Sequence, residues 1–165
     1  MKVRDVMKKN VTVVPVGSTY EQAAALMYLN HFSGLPVVDR EMNLVGMISE
    51  KDLFRALYPR YEEVAEQPDL YHDGHDMEMA IDTLRSTPVE KHMQRKVVTI
   101  RPDADIMRAG GLMLAHGIHR LPVVEGGELV GIVTRREIYG SILERNLDLE
   151  TVRPVGAVSH ESCAA

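Results

Sequence analysis

Apolar and polar positions follow two periods along this chain, and the periods come in a fixed order. Val3 to Met7 is a short amphipathic lead-in. Val11-Thr12-Val13-Val14 is short and β-branched, which predicts a strand, and Pro15-Val16-Gly17 ends it. Ser18 with Glu21 three residues on has the capping-box pattern, so a helix is expected to open there. Tyr20, Ala23, Ala24 and Met27 then fall on one helical face. Leu35 to Val38 is apolar throughout, which predicts a strand buried on both sides. Asp39 to Asn43 reads as a turn and Leu44 to Ile48 as the next strand. Ser49 with Asp52 repeats the capping pattern and opens a helix through Leu53, Phe54 and Leu57.

The second half of the chain runs through the same order. Val97 to Ile100 predicts a strand, and Asp103 or Asp105 caps a helix whose apolar face is Ile106, Ala109, Gly110 and Met113. Leu121 to Val124 and Leu129 to Val133 predict strands. Gly126-Gly127 between them is a tight hairpin signal, since glycine tolerates positive φ. Thr134 opens the last helix, through Ile138, Ile142 and Leu143.

The two halves are copies. Gly34-Leu35-Pro36-Val37-Val38-Asp39 answers to Arg120-Leu121-Pro122-Val123-Val124-Glu125, and Leu44-Val45-Gly46 to Leu129-Val130-Gly131. Val3, Met7, Val11, Ala23, Leu26, Met27, Leu35, Val37 and Val38 each meet an identical residue 86 positions on; after the turn the offset falls to 85. One extra residue in the first turn explains the change, and turns tolerate insertions best. Each copy, about Val3 to Leu57 and Val89 to Leu143, reads strand, helix, strand, strand, helix. At roughly fifty residues neither buries enough surface alone. The expected fold is therefore α/β (α+β): two β-α-β-β-α repeats packed through their sheets with pseudo-twofold symmetry. The boundaries are 1–57 for the first repeat, 58–88 for a linker, 89–145 for the second repeat, and 146–165 for a disordered tail.

The linker is acidic, and Met77, Ile81 and Leu84 are spaced for one short helix that packs on the core. His72-Asp73-Gly74-His75-Asp76 puts two His and two Asp together, but the spacing fits no defensible metal site and reads as a solvated loop.

Composition narrows the function. The chain has 165 residues, 45% hydrophobic and 26% charged, as in soluble globular proteins. A net charge of −5 argues against a nucleic-acid partner. There is no run of about 18 apolar residues and no charged-then-apolar leader, so neither a membrane span nor a secretory signal is expected. A lone Cys163 fits a reduced, cytoplasmic setting. Tryptophan is absent and aromatics are 5%, so the core must be aliphatic, with ten Met residues to help fill it.

The doubled Leu-Pro-Val-Val strand, the Leu-Val-Gly strand and the Ser/Thr-x-x-Asp/Glu after it resemble a tandem pair of CBS (cystathionine-β-synthase-type) domains. The resemblance covers nearly all of residues 3–143. It implies a stand-alone regulatory module with no catalytic residues and no cofactor, binding AMP, ADP, ATP or S-adenosylmethionine in clefts between the copies. It also implies a homodimer, commonly a flat disc of four copies, and a protein partner that the sequence does not name.

Ser49-Glu50-Lys51-Asp52 is the first candidate site. A helix N-terminus offers free N–H groups and a positive dipole end, suited to phosphate. Ser49 and Lys51 add phosphate donors, and the Asp52 carboxylate can accept from both ribose hydroxyls; family members use Asp here for ribose. The same residues also make an ordinary helix cap. Thr134-Arg135-Arg136-Glu137 is the second candidate, with Thr134 and Arg136 toward phosphate. Its Glu137 departs from the family's Asp, which puts its ribose contact in doubt. His119-Arg120 resembles the phosphate-reaching pair of nucleotide-sensing members, and Arg supplies a planar fork of donors. The first copy has Ser33-Gly34 there. That pair favours AMP, ADP or ATP over S-adenosylmethionine. Adenine is expected against Val11, Val13 and Ile48 in one cleft and Val97, Thr99 and Val133 in the other. The competing reading is a ligand-free assembly module. An enzyme is disfavoured, because no Ser/His/Asp order, Gly-rich phosphate loop or His-Glu-x-x-His is present.

Overall fold

The computed structural model describes residues 1–58, 62, 66 and 74–147, with the backbone alone over 74–77. In the first repeat β1 (Val14–Pro15) leads to α1 (Tyr20–Asn30), β2 (Gly34–Val38), β3 (Leu44–Ser49) and α2 (Glu50–Leu57). The linker contributes α3 (Gly74–Leu84). The second repeat supplies α4 (Ile106–His116), β4 (Arg120–Glu125), β5 (Glu128–Thr134) and α5 (Arg135–Asn146). The tail and the His72–Asp76 side chains lie outside the described residues. No described helix is long and apolar enough to cross a membrane.

The hairpins are where the repeats agree best. β2 and β3 pair antiparallel with Leu35 opposite Ile48 and Val37 opposite Gly46. β4 and β5 pair with Leu121 opposite Val133 and Val123 opposite Gly131. Each ladder is interrupted at the same place, after Val37 and after Val123. All five residues of β2 are buried, as its unbroken apolar run requires. Gly126 and Gly127 both take positive φ, 64° and 99°, which the tight turn needs.

The two first strands are shorter than expected. Only Val14 and Pro15 pair with β2, in parallel. In the second repeat a single parallel bridge joins Ile100 to Val123. β-Branching favours an extended backbone, but a ladder also needs a neighbour, and residues 11–13 and 97–99 meet none. The α1 cap also lies one residue later than the Ser18–Glu21 pattern suggests. Thr19 and Gln22 form the reciprocal box, at 3.2 and 2.9 Å, while the Ser18 hydroxyl donates to the Pro15 carbonyl at 2.7 Å. On α4 the cap is Asp105, which accepts from the Met107 N–H at 2.9 Å.

Each repeat has its own core, and each core contains a piece of the other. Val14, Met27, Val37 and Ile48 are buried together with Val89 and Met93 from the second lead-in. Ile106, Met113, Val123 and Val133 are buried with Val3 from the first. The lead-ins are thus exchanged. Met47 trades two backbone hydrogen bonds with Gln94, at 2.9 and 2.8 Å, and Ile132 trades two with Lys8, both at 2.9 Å. The hairpin turns meet as well, with Leu129 N–H donating to Met42 at 3.0 Å and Leu44 N–H to Gly127 at 3.3 Å. Within the linker, α3 packs on α2, and Leu84 reaches the first core. Ile81 stays exposed rather than packing inward.

Candidate functional site

The exchange builds two related junctions. In the first, Ser49 caps α2: its hydroxyl accepts from the Asp52 N–H at 3.3 Å, and its own N–H donates to Asp52 Oδ2 at 3.0 Å. The Ser49 hydroxyl also bonds Asp52 Oδ2. The other oxygen, Oδ1, accepts from the Gln94 side-chain amide at 2.9 Å. In the second junction Thr134 and Glu137 form the same box, with the Thr134 N–H to Glu137 Oε2 at 3.1 Å. Its remaining oxygen meets the Lys8 ammonium at 3.0 Å. Lys8 stands 86 positions before Gln94, so the two carboxylates are held by equivalent residues of different charge.

That difference sets the electrostatics. Burial raises the Glu137 carboxyl, but the Thr134 hydroxyl and the Lys8 ammonium outweigh it and hold Glu137 below the usual carboxylate range. Glu137 has an internal counter-ion, whereas Asp52 faces a neutral amide. Neither Gln94 nor Lys8 is evident from local motifs. The signal that finds them is the repeat register, which places one residue after each lead-in methionine beside the opposite helix.

His119 and Arg120 part company. The His119 carbonyl accepts from the Arg135 N–H at 2.9 Å, as the Ser33 carbonyl does from Glu50 N–H at 3.2 Å. The His119 side chain lies on the α4–α5 side. Arg120 instead crosses to the first repeat, donating to the Gly34 carbonyl at 2.5 Å and to the Ser33 hydroxyl. Burial lowers its pKa, partly offset by the nearby carboxylates of Glu50 and Glu137. The cation therefore sits between the two helix N-termini. Lys51 and Arg136 are exposed beside their caps.

The residues expected to meet adenine differ in exposure. Ile48 and Val133 are each 0% exposed and belong to the two cores, because alternate strand residues face opposite ways. Their neighbours Met47 and Ile132 are the half-exposed ones. Val11, Val13 and Val97 are half-buried and Thr99 is exposed, on segments free of ladder pairing.

Two α+β repeats that exchange lead-ins, with a capped helix and its carboxylate at each junction, define a tandem-repeat domain with two related junctions. The chain belongs to the CBS domain family, whose sequence model matches residues 3–59 and 89–144. It is similar to the uncharacterised protein MJ1426 of Methanocaldococcus jannaschii, at 32% identity over 87% of this chain and 92% of the relative. MJ1225 of the same organism is 26% identical over 80% of this chain, but the match covers 39% of its length, so the pair also occurs within longer proteins. Among solved structures, CBSX2 from Arabidopsis thaliana is 26% identical, with a TM-score of 0.70 over 88% of this chain and 98% of that one. CBSX2 in complex with AMP, also 26% identical, aligns over the same shares with a TM-score of 0.69.

Proposed function

We propose that this chain is a regulatory module that takes an adenine nucleotide, AMP, ADP or ATP, in the cleft beside the N-terminus of α2. The observation that carries this reading is the bond between Asp52 Oδ1 and the Gln94 amide. A ribose diol offers the same kind of donor and can replace a neutral amide without stranding a buried charge. The second cleft offers no such neutral exchange. Opening it breaks the Lys8–Glu137 ion pair, in which Glu137 is only 15% exposed. Arg120 supports the same cleft, since two of its donors already point at the Ser33–Gly34 loop and a guanidinium has others to give. CBSX2, solved with AMP, supports the choice of ligand class.

Thermal melting with AMP, ADP, ATP, S-adenosylmethionine and GTP, each at about 1 mM, tests the reading. A ligand at 100 times its dissociation constant adds about 2.7 kcal/mol of stability. Adenine nucleotides are expected to raise the melting temperature where GTP does not, Asp52→Ala to abolish the shift, and Glu137→Ala to keep it. No shift with any of them would instead favour a ligand-free assembly module.

A further inference from the structure

Strand β4 begins at Arg120, beside the N-terminus of α5, and runs away from it to Glu125. At about 3.3 Å per residue, Val124 lies about 13 Å along the strand from Arg120. A cavity of about 490 Å³ opens at that far end, between the 99–104 segment, one side of α4 and the end of β4. This size is ordinary for a small-molecule pocket. Its floor is Ile100, Ala104, Leu112 and Val124, and its charged groups are Arg101, Asp103 and Arg108. Of the residues expected against adenine, Thr99 alone borders it.

The first repeat closes the equivalent place with its own backbone. There the Val16 N–H donates to the Val38 carbonyl at 2.9 Å, and the Gly17 N–H to Glu90 Oε1 at 2.6 Å. Pro102 stands 86 positions after Val16 and has no N–H to give, so the Val124 carbonyl is not covered in this way. The second repeat stays paired as far as Ile100, whose carbonyl accepts from the Val124 N–H at 2.9 Å, and then leaves the sheet. The cavity occupies the space this departure opens.

Its charges also belong to the second repeat alone. Arg101, Asp103 and Arg108 stand where the first repeat has Pro15, Gly17 and Gln22. Arg4, whose repeat equivalent is Glu90, joins them from the exchanged lead-in, its N–H donating to the Pro102 carbonyl at 2.9 Å. Three arginines thus gather around one aspartate in a chain of net charge −5. Arg101 Nε donates to Asp103 Oδ1 at 3.1 Å. That bond, with the charges of Arg101 and Arg4, holds Asp103 below the usual carboxylate range. Asp103 is therefore ionised and already matched. The Arg108 guanidinium has no hydrogen-bond or ion-pair partner among the described residues. An unmatched cation beside a paired one, over an aliphatic floor, suits an anion that carries an apolar body. Guanidinium forks fit carboxylate and phosphate oxygens alike.

We propose that this cavity is a second ligand site, independent of the nucleotide cleft, for an organic anion with a short aliphatic body. Arg108 and Arg101 hold its carboxylate or phosphate-ester head, and Ile100, Leu112 and Val124 take its body. Proton–nitrogen NMR titration of the full chain with hexanoate, hexyl phosphate, hexanol and acetate tests this. Hexanoate or hexyl phosphate is expected to shift the Ile100, Ala104 and Val124 amides and to leave their first-repeat equivalents, Val14, Ser18 and Val38, in place. The tighter of the two names the head group. Hexanol lacks the charge and acetate the body, so both should bind more weakly. Arg108→Ala should weaken binding at least about tenfold, the loss of a charged hydrogen-bond partner. Gln22→Ala, the equivalent change on α1, should leave it unchanged. No shift at these amides with either six-carbon anion, hexanol or acetate binding as tightly as those anions, or undiminished binding by Arg108→Ala would each overturn the proposal.

Discussion

Met93 leaves no room for a side chain on Gly46. A methyl group there would stand 2.6 Å from the Met93 sulfur and 3.1 Å from the Gln94 carbonyl oxygen. The second repeat holds the same pair reversed, with Gly131 at 2.8 Å from the Met7 sulfur and 3.0 Å from the Lys8 carbonyl. These two glycines let each lead-in backbone lie close enough to the opposite hairpin to exchange hydrogen bonds with it. They hold the repeats together and bring Gln94 and Lys8 to their carboxylates.

Gly46→Ala is therefore expected to destabilise the fold by about 1–3 kcal/mol, the usual cost of overpacking. The sulfur is mobile but the Gln94 carbonyl is backbone, so Met93→Ala in the same chain should recover only part of the loss. Urea unfolding of the two single variants and the double variant measures that coupling. Gly110→Ala is the control: nothing lies within 4 Å of its Cβ, so it should gain about 0.5–1 kcal/mol of helix stability.

The exchange itself was not legible in the sequence. Period and capping locate β2 to α2 and β4 to α5, because those elements are specified by residues a few positions apart. Val3 and Val89 are visibly apolar, but periodicity says only that they are buried and not in which core. The same limit applies to Arg120. Its residue type suits phosphate, while its actual acceptors, Gly34 and Ser33, lie 86 and 87 positions away. The first strands are shorter than their β-branched residues predict for the opposite reason: a local preference for extended backbone carries no information about which neighbour pairs with it, and only Val14, Pro15 and Ile100 find one.

His31 ends α1 at φ 55°, a left-handed conformation that its repeat equivalent, Gly117, takes at φ 62°. A β-carbon there costs about 1–2 kcal/mol, partly offset by the greater chain entropy of glycine. His31→Gly should thus stabilise the protein by about 0.5–1 kcal/mol, read as a higher melting temperature at fixed protein concentration. An unchanged or lower value would mean that His31 makes compensating contacts.

Glu137 ties stability to pH. Its folded pKa is lowered, so its contribution is fully present above the ordinary carboxylate pKa and is lost as pH falls through the lowered folded value. Glu137→Gln removes that contribution at every pH. The melting temperatures of wild type and variant should differ at pH 7, begin to approach each other once pH falls below the ordinary carboxylate value of about 4, and converge only below the lowered folded value. A difference that persists unchanged into acid would assign the effect to packing rather than charge.

The equivalence of Gln94 and Lys8 allows the two clefts to be exchanged by design. Gln94→Lys should give Asp52 the counter-ion that Glu137 already has. Nucleotide binding at the first cleft must then break an ion pair, and the dissociation constant should rise about tenfold, the equivalent of about 1.4 kcal/mol. Lys8→Gln should do the reverse, leaving Glu137 against a neutral amide like Asp52. Isothermal titration of the wild type is expected to give one nucleotide per chain, and Lys8→Gln a second, weaker site, since Glu is a methylene longer than the Asp it replaces. If Gln94→Lys binds as tightly as the wild type, the bond between Gln94 and Asp52 is not what a ligand displaces, and the first cleft owes its preference to Arg120 instead.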